Sequence, residues 1–96
     1  MKTLAFVTLN GMTKDHYEQL RKTVKWDVNQ PKGLVFHAAA FDKNGCKVAD
    51  VWESEADFKG FIDTRLAPAM QKLPIKVDVK SEIIPLHALF APGLTK

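Results

Sequence analysis

The pattern of apolar and polar positions predicts four β-strands and two amphipathic helices. Apolar and β-branched residues run from Leu4 to Leu9 and stop at Asn10-Gly11, which indicates a first strand followed by a turn. Further strands are predicted over 34–41, 46–53 and 75–84. In the last of these, apolar residues alternate with charged ones, as expected for a strand with one face buried.

The two helices are predicted from their caps and from apolar residues at helical spacing. The first begins after Thr13, a candidate N-cap, and runs to about residue 26. Its apolar positions are Tyr17, Leu20 and Val24. The second begins after Ser54, and its apolar stripe consists of Phe58, Phe61, Ile62 and Leu66. Pro68 interrupts that stripe, so residues 67–72 are predicted to form a short separate turn.

The resulting βαββαβ order is typical of a ferredoxin-like α+β fold. It predicts a four-stranded antiparallel sheet with both helices on one face. A length of 96 residues leaves room for one domain, because a self-sufficient core usually needs roughly 100 residues. We therefore expect a single domain over 1–96, in which 86–96 form an apolar tail.

The first two strands carry apolar residues on both of their alternating sides. Two helices cover only one face of such a sheet, which leaves an apolar surface on the other. A second copy of the chain would cover that surface. The sequence therefore predicts a homodimer in which two sheets close into a dimeric α+β barrel.

The hairpin between strands two and three determines which side chains share a face. With Asn44-Gly45 at the centre of a two-residue turn, the predicted opposite pairs are His37 with Trp52, Ala39 with Asp50, and Phe41 with Val48. Small alanines on the alternate side suit close packing of helices. We therefore expect the face that holds His37, Asp50 and Trp52 to point away from the helices.

An Asp, a His and a Trp on one apolar sheet face suggest acid–base chemistry. In this hypothesis His37 carries a proton, Asp50 orients it, and Trp52 forms a wall against a planar ligand. The alternative is a buried polar pair that satisfies itself and sets the strand register.

Three further residues are predicted to contact substrate. Phe41 shares the face of His37. Arg65 is a candidate partner for a substrate carboxylate, although it could instead pair with Asp63 or Glu53. His87, in the apolar tail, could reach the mouth of the cavity in its own subunit or the partner's, or pack at the interface.

Composition excludes several other functions. The net charge of +3 is spread along the chain, which argues against nucleic-acid binding. The histidines lack metal-ligand spacing, and no run approaches the roughly 20 apolar residues that a membrane span requires. A single cysteine, Cys46, rules out an intramolecular disulfide and favours a reducing, cytoplasmic location.

Several segments together resemble small proteins of the dimeric α+β barrel superfamily over nearly the whole chain. They are Gly11-Met12-Thr13, Gly33-Leu34 with His37, Asp50-Val51-Trp52-Glu53-Ser54 and Arg65-Leu66-Ala67-Pro68-Ala69. That superfamily includes antibiotic-biosynthesis-monooxygenase-like proteins, stress-responsive barrel proteins, polyketide cyclases and muconolactone-isomerase-type enzymes. The resemblance implies a homodimer with a small-molecule cavity. The haem-degrading branch carries a proximal histidine on a helix, whereas His16 lies in a first turn, so no cofactor is expected.

Two functions follow from this reading of the sequence. The first is a homodimer that binds an aromatic or polyketide-like molecule and performs cofactor-free oxygenation, cyclisation or isomerisation on it. The second is a non-catalytic, stress-associated binding dimer in which the same sheet face is entirely interface. The two differ in whether a cavity survives dimerisation.

Overall fold

The computed structural model describes residues 1–73 and 76–94, and it contains the predicted elements in the predicted order. The strands are β1 (Thr3–Asn10), β2 (Leu34–Asp42), β3 (Gly45–Trp52) and β4 (Asp78–Pro85). The helices are α1 (Lys14–Val24), α2 (Glu55–Phe61), a π-helical turn (Ile62–Leu66), α3 (Ala67–Met70) and a 3₁₀ turn (Pro92–Leu94). The predicted start of the last strand, at 75, lies outside the described residues.

The four strands form one antiparallel sheet in the order β2-β3-β1-β4. This order, with helices after β1 and after β3, confirms the predicted ferredoxin-like α+β fold. In the described part of the chain, no helix combines the length and apolar character needed to cross a membrane.

Both predicted N-caps are present. The Thr13 hydroxyl accepts the His16 amide at 3.1 Å, and the His16 ring lies 3.4 Å from the Thr13 amide nitrogen in return. The Ser54 hydroxyl accepts the Asp57 amide at 3.1 Å. These bonds satisfy amide donors that a helix start would otherwise leave free, which explains why the helices begin where the cap residues stand.

The second helical segment widens before Pro68. The Ala67 amide donates to the Ile62 carbonyl, five residues back, which is the π-helical spacing. Proline has no amide hydrogen to continue an α-helical ladder, and its ring crowds the carbonyl four residues earlier. The predicted interruption at Pro68 is thus a widened turn followed by α3, and the helix ends at Met70 rather than at residue 72.

The core lies between the helices and one face of the sheet, called here the helix face. Buried side chains from β1, β3, α1 and α2 meet there, and their main members are Ala5, Val7, Leu9, Leu20, Val24, Cys46, Val48, Trp52 and Phe58. Trp52 is 1% exposed and packs its ring against Phe58 and Phe61. Burial of this indole anchors the second helical segment over β3.

The opposite side of the sheet, called here the open face, is also apolar. By strand register it carries Leu4, Phe6, Phe36, Ala38, Ala40, Ala49, Val51 and Ile84. Phe6 is 43% exposed and stands between Ala49 and Glu82, and Ile84 is 40% exposed and stands beside Leu4. Val51 is buried but lies outside the helix-face cluster. The sequence-based expectation of a sheet apolar on both sides is therefore met.

The hairpin differs from its prediction by one position. The paired residues are Asp42 and Gly45, so Lys43 and Asn44 form the turn. Neither has a positive φ, and the Asp42 carboxylate organises the turn by accepting the amides of Asn44 and Gly45. Gly45 takes the positive φ of 142°. A side chain there would overlap the backbone of the neighbouring strand, so this position requires glycine.

Candidate functional site

Four side chains form a continuous hydrogen-bonded network on the helix face. Asp50 Oδ1 lies 2.7 Å from His37 Nδ1, and His37 Nε2 lies 2.8 Å from the Tyr17 hydroxyl. The other carboxylate oxygen, Asp50 Oδ2, accepts the Trp52 indole N–H at 3.2 Å. Each Asp50 oxygen thus has a ring nitrogen within hydrogen-bond distance, so an Asp50 carboxylate can accept from both His37 and Trp52.

Strand pairing holds this network together. His37 on β2 stands directly opposite Asp50 on β3, and Trp52 follows two residues later on the same face. The predicted pairs of His37 with Trp52, Ala39 with Asp50, and Phe41 with Val48 are wrong by two residues along β3, because the turn is centred one position earlier. The predicted sharing of one face is correct, since a shift of two residues preserves strand alternation.

The predicted orientation of that face is wrong. His37, Asp50 and Trp52 point toward the helices, where Tyr17 of α1 meets His37 and the aromatic rings of α2 meet Trp52. The alanines instead occupy the open face. The error has a physical cause, because strands that are apolar on both sides do not indicate by their pattern which side the helices cover.

Tyr17 and Trp26 are the site residues that sequence reasoning missed. It assigned both to core or interface. Trp26 follows α1, and its ring centroid lies 5.5 Å from that of His37 and 5.4 Å from that of Tyr17. The sequence signal for Tyr17 was only its place on the apolar stripe of α1, and an aromatic residue there is equally typical of a core position.

The network borders a small cavity between the helices and the sheet. Its volume is about 50 Å³, room for a few water molecules. The walls are almost entirely apolar, and the polar side chains among them are Tyr17, His37 and Asp50. The site is therefore an apolar pocket with one polar corner, an arrangement that strengthens electrostatic interactions.

Two larger depressions adjoin this cavity. A groove of about 470 Å³ lies between the second helical segment and β4, and its rim includes Lys59 and Asp63. The residues that line both groove and cavity are Val7, Phe58, Ile62, Leu66 and Met70. On the other side, a hollow of about 330 Å³ shares Trp26, Leu34 and His37 with the cavity. The π-helical turn therefore supplies part of the wall between groove and cavity.

Burial raises the pKa of the Tyr17 hydroxyl to about 12, with smaller contributions from nearby acidic groups. Desolvation penalises the phenolate, so Tyr17 keeps its proton at neutral pH. Its hydroxyl can therefore donate to the imidazole while its oxygen retains a free lone pair.

The Tyr17 pKa can be measured directly because it is the single tyrosine of the sequence. We expect ultraviolet titration of the folded protein to give a midpoint near 12, and denatured protein to give the ordinary value near 10. The unfolded chain then releases this proton first, so the free energy of unfolding falls as pH rises between these values. An ordinary midpoint in the folded protein would contradict the burial of this hydroxyl.

Phe41 and Arg65 occupy different surroundings. Phe41 lies on the face of His37, as predicted, and packs edge-on against Tyr17 at 5.8 Å. Arg65 Nη2 donates to the backbone carbonyls of Val24 and Asn29, at 2.7 and 2.8 Å. The alternative pairing of Arg65 with an acidic neighbour is wrong. Arg65 ties the loop after α1 to the second helical segment, and its contact with a ligand stays a prediction.

The remaining candidates lie apart from the network. His87 is exposed in the segment after β4, and its contact with substrate stays a prediction. Cys46 is buried, and burial raises the pKa of its thiol, which disfavours a nucleophilic thiolate. Within 1–73 and 76–94, no three His, Cys, Asp or Glu side chains are grouped to hold a metal ion.

No protein-family model matches the sequence, and no curated protein matches it. Solved structures do match. A single-site mutant of SnoaB, a cofactor-independent oxygenase from Streptomyces nogalater, superposes with a TM-score of 0.64 at 12% identity, covering 92% of this chain and 94% of that one. A candidate antibiotic biosynthesis monooxygenase from Deinococcus radiodurans gives a TM-score of 0.63 at 15% identity, covering 95% and 97%.

A third match has different chemistry. The hydroxynitrile lyase from Passiflora edulis superposes with a TM-score of 0.55 at 16% identity, covering 92% of this chain and 97% of that one. An oxygenase and a lyase therefore have similar folds, so the fold does not determine the reaction. The chain thus has the ferredoxin-like α+β fold of antibiotic-biosynthesis-monooxygenase-like proteins.

Proposed function

We propose that this protein is a homodimer that binds a small, largely apolar molecule beside the His37–Asp50 pair and exchanges a proton with it. One observation carries the proposal: a carboxylate, an imidazole and a phenol are joined by short hydrogen bonds in the polar corner of an apolar cavity. Imidazole is the side chain whose charge changes closest to neutral pH, which suits it to acid–base catalysis.

The groove supplies space for the body of the ligand. Its volume of about 470 Å³ falls in the range of small-molecule sites. Leu66 and Met70 stand between groove and cavity, and both are flexible side chains that can change rotamer. A ligand lying in the groove would then extend its polar end toward His37. Apolar walls and aromatic neighbours favour an aromatic or polyketide-like ligand.

The proposed reaction class is cofactor-free oxygenation, cyclisation or isomerisation, each of which begins with removal or relocation of a substrate proton. The fold shared with a cofactor-independent oxygenase supports this class. So does the network, which offers a proton acceptor without requiring a metal or an organic cofactor.

The dimer is proposed to form through the open face. Phe6, Phe36 and Ile84 lie there with five further apolar residues, and the core contacts of the helices are all on the other side. Pairing two such faces would remove a continuous apolar surface from water. It would also leave each subunit's cavity and groove on the helix side of its own sheet.

Binding of 4-nitrophenol, whose anion is yellow, tests the proposed function. The two tryptophans of the sequence both line the cavity, so quenching of their fluorescence reports binding. We expect the bound probe to be ionised at a pH at which the free probe is mostly protonated. In His37→Gln, we expect binding within about threefold of the native protein but at least a tenfold smaller ionised fraction, since glutamine cannot take up the proton.

His87→Gln is the matched control, because it removes an exposed imidazole outside the network. It should leave both binding and ionisation unchanged. Absence of quenching by nitrophenol, naphthol, quinone and lactone probes would contradict the proposed binding site.

One observation favours the non-catalytic alternative. The cavity of about 50 Å³ is smaller than an aromatic ring system, and each member of the network already has a partner. In a binding or interaction dimer the network would only set strand register. That function predicts that nitrophenol binds in the groove but stays protonated.

A further inference from the structure

We propose that Tyr17, rather than His37, is the group that meets the ligand's proton, and that His37 receives a proton through it. The inference rests on the proposed function and names the contact atom. It also assigns the ligand class: weak oxygen acids such as phenols, naphthols and the enols of 1,3-diketones.

Both nitrogens of the His37 ring are already engaged. Nδ1 is 2.7 Å from Asp50 Oδ1, and Nε2 is 2.8 Å from the Tyr17 hydroxyl. The Asp50 carboxylate accepts hydrogen bonds, so Nδ1 carries the hydrogen, and Nε2 of the neutral ring then accepts the Tyr17 O–H. A ligand in the cavity therefore finds no free nitrogen on His37. The Tyr17 oxygen keeps an unused lone pair and belongs to a half-buried side chain, whereas the carboxylate oxygens of Asp50 belong to a residue that is 6% exposed and are engaged with His37 and Trp52.

The transfer involves two protons and no net change in Tyr17. The ligand O–H bond breaks and its proton joins the Tyr17 oxygen, while the original Tyr17 O–H breaks and that proton joins His37 Nε2. The electron pair of the broken ligand bond stays on the ligand, which becomes an anion. His37 becomes an imidazolium, whose charge is offset by the adjacent Asp50 carboxylate. The step requires no oxidant or reductant.

Burial explains why the two transfers must be coupled. A phenol whose pKa is raised to about 12 does not exist as a free phenolate near neutral pH. Tyr17 can accept a proton only as it passes its own proton to His37. The proton therefore passes in net terms from the ligand to an imidazole, which favours acidic hydroxyls such as those of nitrophenols and 1,3-diketone enols over aliphatic alcohols.

The surroundings of Tyr17 match an aromatic acid. Trp26 and Phe41 contact its ring edge-on, with centroids at 5.4 and 5.8 Å, so its hydroxyl is held in one direction. Leu20 of the same helix and Val48 of β3 also line the cavity. A flat ring lying in the adjoining groove, with one acidic hydroxyl extended into the cavity, suits both the apolar walls and the single polar corner.

The transfer of a proton from the ligand through Tyr17 to His37 is called here the relay. Tyr17→Phe tests the relay with 4-nitrophenol as the probe, since this substitution keeps the ring and removes the hydroxyl. We expect fluorescence-detected binding within about threefold of the native protein and at least a tenfold loss of the ionised bound fraction. In parallel, ¹⁵N spectra of the native protein should show His37 becoming an imidazolium when the probe binds, whereas those of Tyr17→Phe should show no such change. His87→Gln should behave as the native protein in both measurements.

A second, less disruptive variant uses the single tyrosine. Biosynthetic replacement by fluorotyrosine alters one hydroxyl in the whole chain and makes it more acidic. After the transfer the Tyr17 O–H donates to the ligand anion, so the more acidic fluorotyrosine should stabilise that anion and lower the pH midpoint of bound-probe ionisation. Direct transfer to His37 leaves Tyr17 out of contact with the anion and predicts no such shift.

Each outcome separates the two proposals. If Tyr17→Phe ionises the bound probe as well as the native protein does, the Tyr17 relay is overturned and the proposed function stands. If the native protein binds nitrophenol without ionising it, both proposals fail. Loss of ionisation in His37→Gln but not in Tyr17→Phe, together with an unshifted midpoint in the fluorotyrosine protein, assigns the contact to His37 itself.

Discussion

Asp50→Ala lowers the free energy of unfolding by about 2–4 kcal/mol, the cost of leaving buried donors without an acceptor. Asp50 is 6% exposed, and its two oxygens accept the His37 and Trp52 N–H groups. Alanine supplies neither acceptor. Urea unfolding followed by tryptophan fluorescence measures the loss, at several protein concentrations because the proposed dimer would make stability concentration-dependent.

Two further variants test whether this loss of stability comes from the hydrogen bonds of Asp50. Asp78→Ala removes an exposed carboxylate from β4 and should change stability by no more than about 0.5 kcal/mol. Asp50→Asn keeps the shape and an acceptor for Trp52 but can offer His37 an N–H donor, which would move the imidazole hydrogen to Nε2. We expect a smaller loss of stability and the same loss of probe ionisation as in His37→Gln. Unchanged stability of Asp50→Ala would show that the network does not contribute to the fold.

Phe6→Glu abolishes the proposed dimer. Phe6 lies in the middle of the open face, between Ala49 of β3 and Glu82 of β4, and is 43% exposed in the protomer. A carboxylate there would be desolvated between two sheets, and each subunit would bring one near Glu82 of its own sheet. We expect the dissociation constant to rise at least 100-fold, so that sedimentation at micromolar concentration shows a monomer with native circular dichroism.

Val79→Glu is the matched control. Val79 is 48% exposed, but it faces the groove on the helix side of the sheet. The variant should remain a dimer and lose probe affinity instead. The reverse result, a dimeric Phe6→Glu and a monomeric Val79→Glu, would place the interface on the helix side and remove the proposed groove.

The predicted fold followed from local signals that tertiary packing did not override. Thr13 and Ser54 cap the helices because their hydroxyls meet amides three residues away, a contact that depends on neighbouring residues alone. The turn at 42–45 shows where such signals lose precision. Asn44-Gly45 indicated a turn with positive φ at both positions, whereas the Asp42 carboxylate organised a turn one residue earlier.

The sequence predicted which sheet residues belong to the candidate site. It did not predict which side of the sheet they face or which helix residue contacts them. His37, Asp50 and Trp52 share a face by strand alternation, and a register error of two residues leaves alternation intact. Tyr17 could not be joined to them, because its contact with His37 spans 20 residues and depends on how α1 lies across β2.

The sequence by itself determined the helices and strands, their order and which residues share each side of a strand. These features depend on local hydrogen bonding and on the two-residue alternation of side chains along a β-strand. Only the tertiary structure decided which side the helices cover. Both sides are apolar, so burial of either is favourable by itself, and the choice depends on how Trp52, Phe58 and Phe61 pack together. That choice placed His37 in a cavity beside Tyr17 and left Phe6 on the open face.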